Sequence, residues 1–418
     1  MYQVATPSTL RQARPRERSG PIASRTVMLL GLTSLLTDIS SEMVITILPL
    51  YLVAVGGFSP LAFGIVDGIY NGATAIVRLG AGWLGDRRGR HKEVAATGYG
   101  LSAGCKLLLA VVGTSVSAIG AVVLLDRVGK GIRTAPRDAM ISLSTPASRL
   151  GTAFGVHRAM DTTGAMLGPL LAFGLLALAP LAFHSVFLVS FFLAVIGLGV
   201  LVLLVDGRDR SPEAVAPERP PSLRGAFGLL RIPRFRGLLV AGGALSLATA
   251  SDAFVFLALQ DRLDLGTSLF PLLFVGSAAA YMVLAVPFGR LADRIGRGRV
   301  MLAGYGLLAG VYAVLLTGLD GWVALTAALG LLGAYYAATD GVLMALGSAV
   351  VPPELRGSGL ALLATATSTC RLLASVAFGA LWTLWSLDAA FACFAAALGG
   401  ALVVAALSLA RAREPHHA

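Results

Sequence analysis

Three short stretches set ionisable side chains at helical spacing inside otherwise apolar sequence. LTDISSEMV (36–44) carries Asp38 and Glu42, four residues apart and so on one face of a helix. LLDRVGKGIRTAPRDAMI (124–141) gathers Asp126, Arg127, Lys130, Arg133, Arg137 and Asp138. HRAMDTTGAMLGPLLAFG (157–174) puts His157, Arg158 and Asp161 within about one turn, ahead of Gly164, Gly168 and Pro169. Such groups are suited to holding and passing on protons: low dielectric favours the neutral carboxyl, a facing cation favours the ionised one, and exchanging one neighbour for the other moves the proton. A permanently paired structural network fits the same residues. Hydrolytic and metal chemistry lack their usual parts. There is no H-E-x-x-H, two of the five histidines (His416 and His417) lie at the end of the chain, and Cys105, Cys370 and Cys393 stand apart. An enzyme is therefore not expected, nor a metal or an organic cofactor; the proton is the expected coupling ion.

The elements that carry these groups follow from composition. Of 418 residues 56% are hydrophobic and 13% charged, with 50 glycines and a net charge of +11; globular chains average about 25% charged residues. About 20 apolar residues cross a bilayer core as a helix, and twelve such spans can be placed, near 26–55, 60–84, 94–113, 116–138, 150–178, 181–205, 236–260, 267–289, 300–318, 322–349, 357–384 and 387–410. The expected fold is an all-α membrane protein. With the N-terminus inside, 25 of the 33 Lys and Arg fall on cytoplasmic segments, and Arg262 alone falls outside. The positive charge thus reads as topology, with both termini cytoplasmic, and not as a nucleic-acid footprint. Residues 1–25 read as a cytoplasmic tail, 26–205 as a first six-helix bundle, 206–235 as a proline-rich linker, 236–410 as a second bundle and 411–418 as a closing tail.

An Arg, Lys or Asp at a helix centre facing lipid costs about 2.5–3.5 kcal/mol. Asp126, Arg127 and Lys130 are accordingly expected to face the bundle interior, a wet cavity or one another. Arg133, Arg137 and Asp138 lie nearer the cytoplasm, where snorkelling suffices, and Lys106 in the third span stands alone and can snorkel too. Asp38 sits about twelve residues into its span, roughly 18 Å at 1.5 Å per residue and close to mid-depth. The second half adds Asp252, Asp340 after AYYAAT, and Arg371 about fourteen residues into its helix; either acid is an expected partner for Arg371.

The chain also repeats itself. GWLGDRRGRHKEVAATGYGLSAG (82–104) returns as GRLADRIGRGRVMLAGYGLLAG (289–310), after the second span of each half. A parallel repeat implies two pseudo-symmetric six-helix bundles with a binding site between them near mid-depth. Through Gly82, Leu84, Asp86, Arg87, Gly89 and Arg90, and the weaker copy at Gly289, Leu291, Asp293, Arg294, Gly296 and Arg297, the sequence resembles the major facilitator superfamily. It looks like a bacterial twelve-helix member of the drug, metabolite or siderophore-type permeases.

That resemblance implies a cytoplasmic gate at Gly82, Asp86, Arg87, Arg90, Gly289, Asp293 and Arg294. It implies a role in proton coupling for Arg127, which with Gly131 matches the family's R-x-x-x-G phrase. The antiporter-associated pattern is matched only at Gly164, Gly168 and Pro169, a candidate helix bend, with Leu171, Ala172 and Phe173 around the expected glycine pair. Candidate coupling residues are Asp38, Glu42, Arg127 and Asp161. Candidate cavity residues are Asn71, Lys130, His157, Arg158, Asp252, Tyr335, Asp340 and Arg371. The expected protein is a monomeric, multi-pass secondary transporter of the bacterial inner membrane, embedded in lipid and moving a small molecule by alternating access, with proton-driven efflux ahead of import. A receptor or a passive channel is the expectation from another class. Seven cations and seven acids in the spans give no charge preference for the cargo.

Overall fold

The structure, a computed structural model, describes residues 24–73, 91–146, 149–206, 228–317, 319, 321–352 and 355–411. The first half comprises α1 (Arg25–Leu50), a helical segment 60–73 that we call α2, α3 (His91–Val111), α4 (Val116–Leu143), α5 (Leu150–Leu178) and α6 (Phe183–Gly199). The second comprises α7 (Pro233–Leu247), α8 (Asp252–Arg262), α9 (Phe270–Ile295), α10 (Arg297–Leu316), α11 (Gly321–Thr339), α12 (Val342–Val350), α13 (Arg356–Leu384) and α14 (Leu387–Arg411).

Among the described residues ten helical stretches are long and apolar enough to cross a membrane. The other two expected spans are α2, whose continuation lies outside the described residues, and α4, whose charges set it apart. Local chemistry fixes the ends. Ser24 accepts the Val27 N–H at 3.2 Å and caps α1, Pro233 opens α7, and Gly296, at φ 96°, makes the tight corner between α9 and α10. Large apolar side chains such as Leu203 and Val283 are exposed, as a surface that meets acyl chains requires.

The halves share one packing plan. In the first, α1 meets α5 and α6, and α3 meets α4 and α6; in the second, α7 meets α13 and α14, and α10 meets α11 and α14. Two expected spans are broken. Span seven unwinds at 248–251, between α7 and α8, and span ten at Asp340 and Gly341, between α11 and α12, where Gly341 takes φ 69°. Their counterparts α1 and α4 run unbroken. Backbone freed inside an apolar bundle must find partners. The Tyr312 hydroxyl meets that need in the first break, accepting from Ala250 N at 2.8 Å and donating to the Ala248 carbonyl at 3.3 Å.

The halves meet along α5 with α9 and along α2 with α13. Gly64, Gly68 and Gly72 form one stripe of α2, and a Cβ on Gly64 or Gly68 would stand 2.5 Å from the Ser375 carbonyl or 2.9 Å from that of Leu372. Near Pro60, Phe254 packs on Phe63 (5.0 Å between centroids), Phe378 (4.4 Å) and Trp382 (6.0 Å), and the Leu61 N–H reaches Thr383 Oγ1 at 2.9 Å. The crevice between the halves is therefore closed at the Pro60 end.

Candidate functional site

Below that seal lie three connected cavities of about 360, 350 and 230 Å³, all touching Tyr336. The largest is bounded by Glu42 of α1, Ala165 and Pro169 of α5, Asp252 of α8, Phe274 and Tyr281 of α9, and Asp340. The smallest adds Asp67, Tyr70 and Asn71 of α2 and Arg371 and Ser375 of α13. The third continues past Arg371 to Met344 and Ala364, away from the Pro60 end.

Close packing positions the first-half acids. Cβ atoms on Gly164 and Gly168 of α5 would stand 2.6 Å from the Leu35 carbonyl and from Glu42 Cβ, so the two glycines let the backbone of α1 approach. Gly164 and Gly168 thus serve helix contact, and Pro169, inside the continuous helix α5, lines the largest cavity. That approach brings the Asp38 carboxyl within hydrogen-bonding reach of Asp161. Two cations attend them: Arg133 Nη2 is 3.9 Å from Asp38 Oδ1, and Arg137 Nη1 is 4.0 Å from Asp161 Oδ1. Arg137 also donates to Asp138 Oδ1 at 2.9 Å and to Ser34 Oγ at 3.2 Å. Ser34 Oγ in turn contacts His157 Nε2 at 3.0 Å and the Tyr99 hydroxyl at 3.3 Å.

A second ion cluster is separate. Asp126 takes Lys106 Nζ at 2.5 Å on one oxygen and Arg127 on the other. The Arg127 guanidinium lies 3.9 Å from the Tyr70 ring centroid. Tyr70 borders both the crevice and the small space around this cluster, and so stands between them.

The second half holds its ions differently. The Tyr336 hydroxyl donates to both Asp252 oxygens at 2.8 and 2.7 Å, and Tyr281 donates to Asp340 Oδ2 at 3.1 Å. At the boundary, Asp67 Oδ2 accepts from Ser375 of the other half at 2.6 Å and from Asn71 Nδ2 at 3.2 Å. Glu42 and Arg371 face the crevice without a hydrogen bond or an ion pair within 4.0 Å among the described residues.

Asp38, Glu42 and Asp161 come together, while Arg127 belongs to Asp126 and Tyr70; Arg133, expected to snorkel, is instead 3% exposed and stands beside Asp38. Lys106 does not snorkel but is 2% exposed and paired, because α3 and α4 pack face to face. Asn71, Asp252, Asp340 and Arg371 line the crevice, yet Arg371 pairs with neither acid, since tyrosine hydroxyls occupy both. Tyr335 is buried against Tyr305 at 5.2 Å, and its neighbour Tyr336 is the lining residue. His157 is buried on Ser34, Arg158 is exposed, and Lys130 stays within the first half; none of the three lines the crevice. Gly82, Asp86, Arg87 and Arg90 lie outside the described residues. Gly289, Asp293 and Arg294 end α9 as exposed residues. The α2 glycine stripe went unread, although glycine at every fourth position was its signal.

Comparison with known proteins fits this geometry. The model of the Major Facilitator Superfamily matches residues 30–280 and 254–418. An uncharacterized MFS-type transporter of Methanocaldococcus jannaschii is 33% identical over 371 residues, covering 86% of this chain and 89% of that one. Multidrug resistance protein MdtG of Serratia proteamaculans is 28% identical over 295 residues, covering 66% and 68%. The crystal structure of the nucleoside transporter NupG superposes with a TM-score of 0.72 at 16% identity, covering 94% of this chain and all of that one. A duplicated six-span plan around a shared crevice, matched by the family model along nearly the whole chain, makes this protein a member of the major facilitator superfamily of membrane transporters.

Proposed function

We propose that the chain is a proton-coupled secondary transporter of a small organic molecule, with α1 and α5 carrying the proton and the crevice between the halves carrying the cargo. The observation behind it is the facing pair Asp38 and Asp161, flanked by Arg133 and Arg137 and one turn from the crevice residue Glu42. Two facing carboxyls share a proton readily, and an arginine drawn closer to either expels it. Rocking one half against the other changes which neighbour each acid sees. We propose a monomer in the bacterial inner membrane with both termini cytoplasmic; in that orientation, closure at the Pro60 end leaves the crevice facing the cytoplasm. Likeness to a multidrug resistance protein favours export in exchange for protons. The runner-up is proton-driven import of a metabolite or a siderophore-type chelate.

The test is transport in proteoliposomes under an imposed pH step, with a panel of radiolabelled amines, amino acids and carboxylates. At least one solute is expected to accumulate against its gradient, and the sign of the effective pH step gives the direction. Asp38→Asn and Glu42→Gln are expected to abolish accumulation. Unchanged pH-driven transport in both variants, or passive flux indifferent to pH, overturns the proposal.

A further inference from the structure

The spans carry equal numbers of cations and acids, but the fold does not distribute them equally. Lys106, Arg127, Arg133 and Arg137 are spent on acids of the first half, and none of them lines the three connected cavities. The described charged lining is Glu42, Asp67, Asp252 and Asp340 against Arg371 alone. The 360 Å³ cavity is more one-sided still: it touches Glu42, Asp252 and Asp340 and no described cation. Asp252 and Asp340 receive hydrogen bonds from neutral hydroxyls, which fix their direction without cancelling their charge. Glu42 meets the cavity with no hydrogen bond or ion pair among the described residues, while Lys130 and Arg127 stand behind it in the first half. The remaining wall is Phe274, Tyr281, Tyr336 and aliphatic carbons of α5 and α9, faces suited to an apolar body and to cation–π contact. The volume falls within the roughly 300–1,000 Å³ usual for small-molecule sites.

We infer that the cargo is an organic cation with a ring-sized apolar body, its charge held among Glu42, Asp252 and Asp340 and its body against Phe274, Tyr281 and Tyr336. This rests on the proposed transport function and names its substrate class.

The test is equilibrium binding to the purified full-length protein of two probes alike in size and shape and opposite in charge, tetraphenylphosphonium and tetraphenylborate. The phosphonium is expected to bind saturably and the borate not to displace it; this comparison needs no variant. Loss of one facing carboxylate, in Glu42→Gln or Asp252→Asn, is expected to weaken phosphonium binding roughly 10–100-fold, while lipid-facing Val283→Ala leaves it unchanged. Equal binding of the borate, saturable binding of neither ion, or phosphonium binding indifferent to both carboxylates overturns the inference. Proton-driven transport of non-cationic solutes alone would sink the substrate class and leave the transport proposal standing. Saturable phosphonium binding in a protein that no pH step drives would do the reverse.

Discussion

The two halves repeat one packing plan and use it to opposite ends. In the first, α1 and α4 are continuous and several of their ions are paired: Asp126 holds Lys106 and Arg127, and Asp38 and Asp161 are flanked by Arg133 and Arg137. In the second, the equivalent spans are broken, and the acids beside the breaks, Asp252 and Asp340, are held by tyrosines. Ion pairs in low dielectric lock helices together, because parting them strands a charge. A hydroxyl on a carboxylate is a weaker tie that a ligand can replace. On the proposed function, the first half stays fixed around its carboxyl groups and the second yields around the cargo.

Removing Asp126 strikes that contrast hardest. Asp126→Asn strands two buried cations and is expected to cost about 3–5 kcal/mol of stability, read as a lowered thermal midpoint. Lys106→Met leaves the neutral pair of Asp126 and Arg127, so less than half that loss is expected. An equal or larger loss from Lys106→Met would show that the cluster does not act as a two-against-one set.

The seam between the halves comes next. Gly68→Val puts a side chain where the Leu372 carbonyl stands 2.9 Å from the would-be Cβ. Expected are a folded protein, transport reduced at least tenfold, and a crevice labelled at Asn71→Cys from the Pro60 end. Wild-type transport would mean that this end need not close.

In the second half a smaller change is expected from Tyr336→Phe, which frees both Asp252 oxygens of their donor. Stability should fall by about 1.5–3 kcal/mol, short of the Asp126 variant; a loss as large would erase the distinction between the halves. Smallest of all is Arg158→Gln, exposed on α5, expected to stay within about ±0.5 kcal/mol of wild type.

Much of this plan was legible in the sequence. Apolar runs placed the spans, and the repeated loop phrase implied two related bundles. Depth along a helix put Asp38 and Arg371 near the middle, because rise per residue is fixed. Rotation about each helix axis is not fixed by apolarity in a span that is oily all round. Hence Tyr335 stood for Tyr336, Arg127 for Arg133, and Lys106 looked solitary although its partner was one helix away. The breaks at 248–251 and 340–341 lacked a proline, and the first is held by Tyr312, more than 60 residues distant in sequence. Charge preference was hidden for the same reason: a tally of ions does not say which of them face the crevice.

The eleven-residue helix α8 ties three of these features to one rigid rod. Asp252 sits at its near tip, Phe254 wedges into the aromatic seal, and Arg262 at its far tip pairs with Asp388 of α14. A rod this short does not flex internally, so any tug on Asp252 is relayed either to the plug or to the unwound hinge at 248–251. On the proposed function, occupancy of the crevice and tightness of the lock at the Pro60 end are geared together through this single piece of backbone.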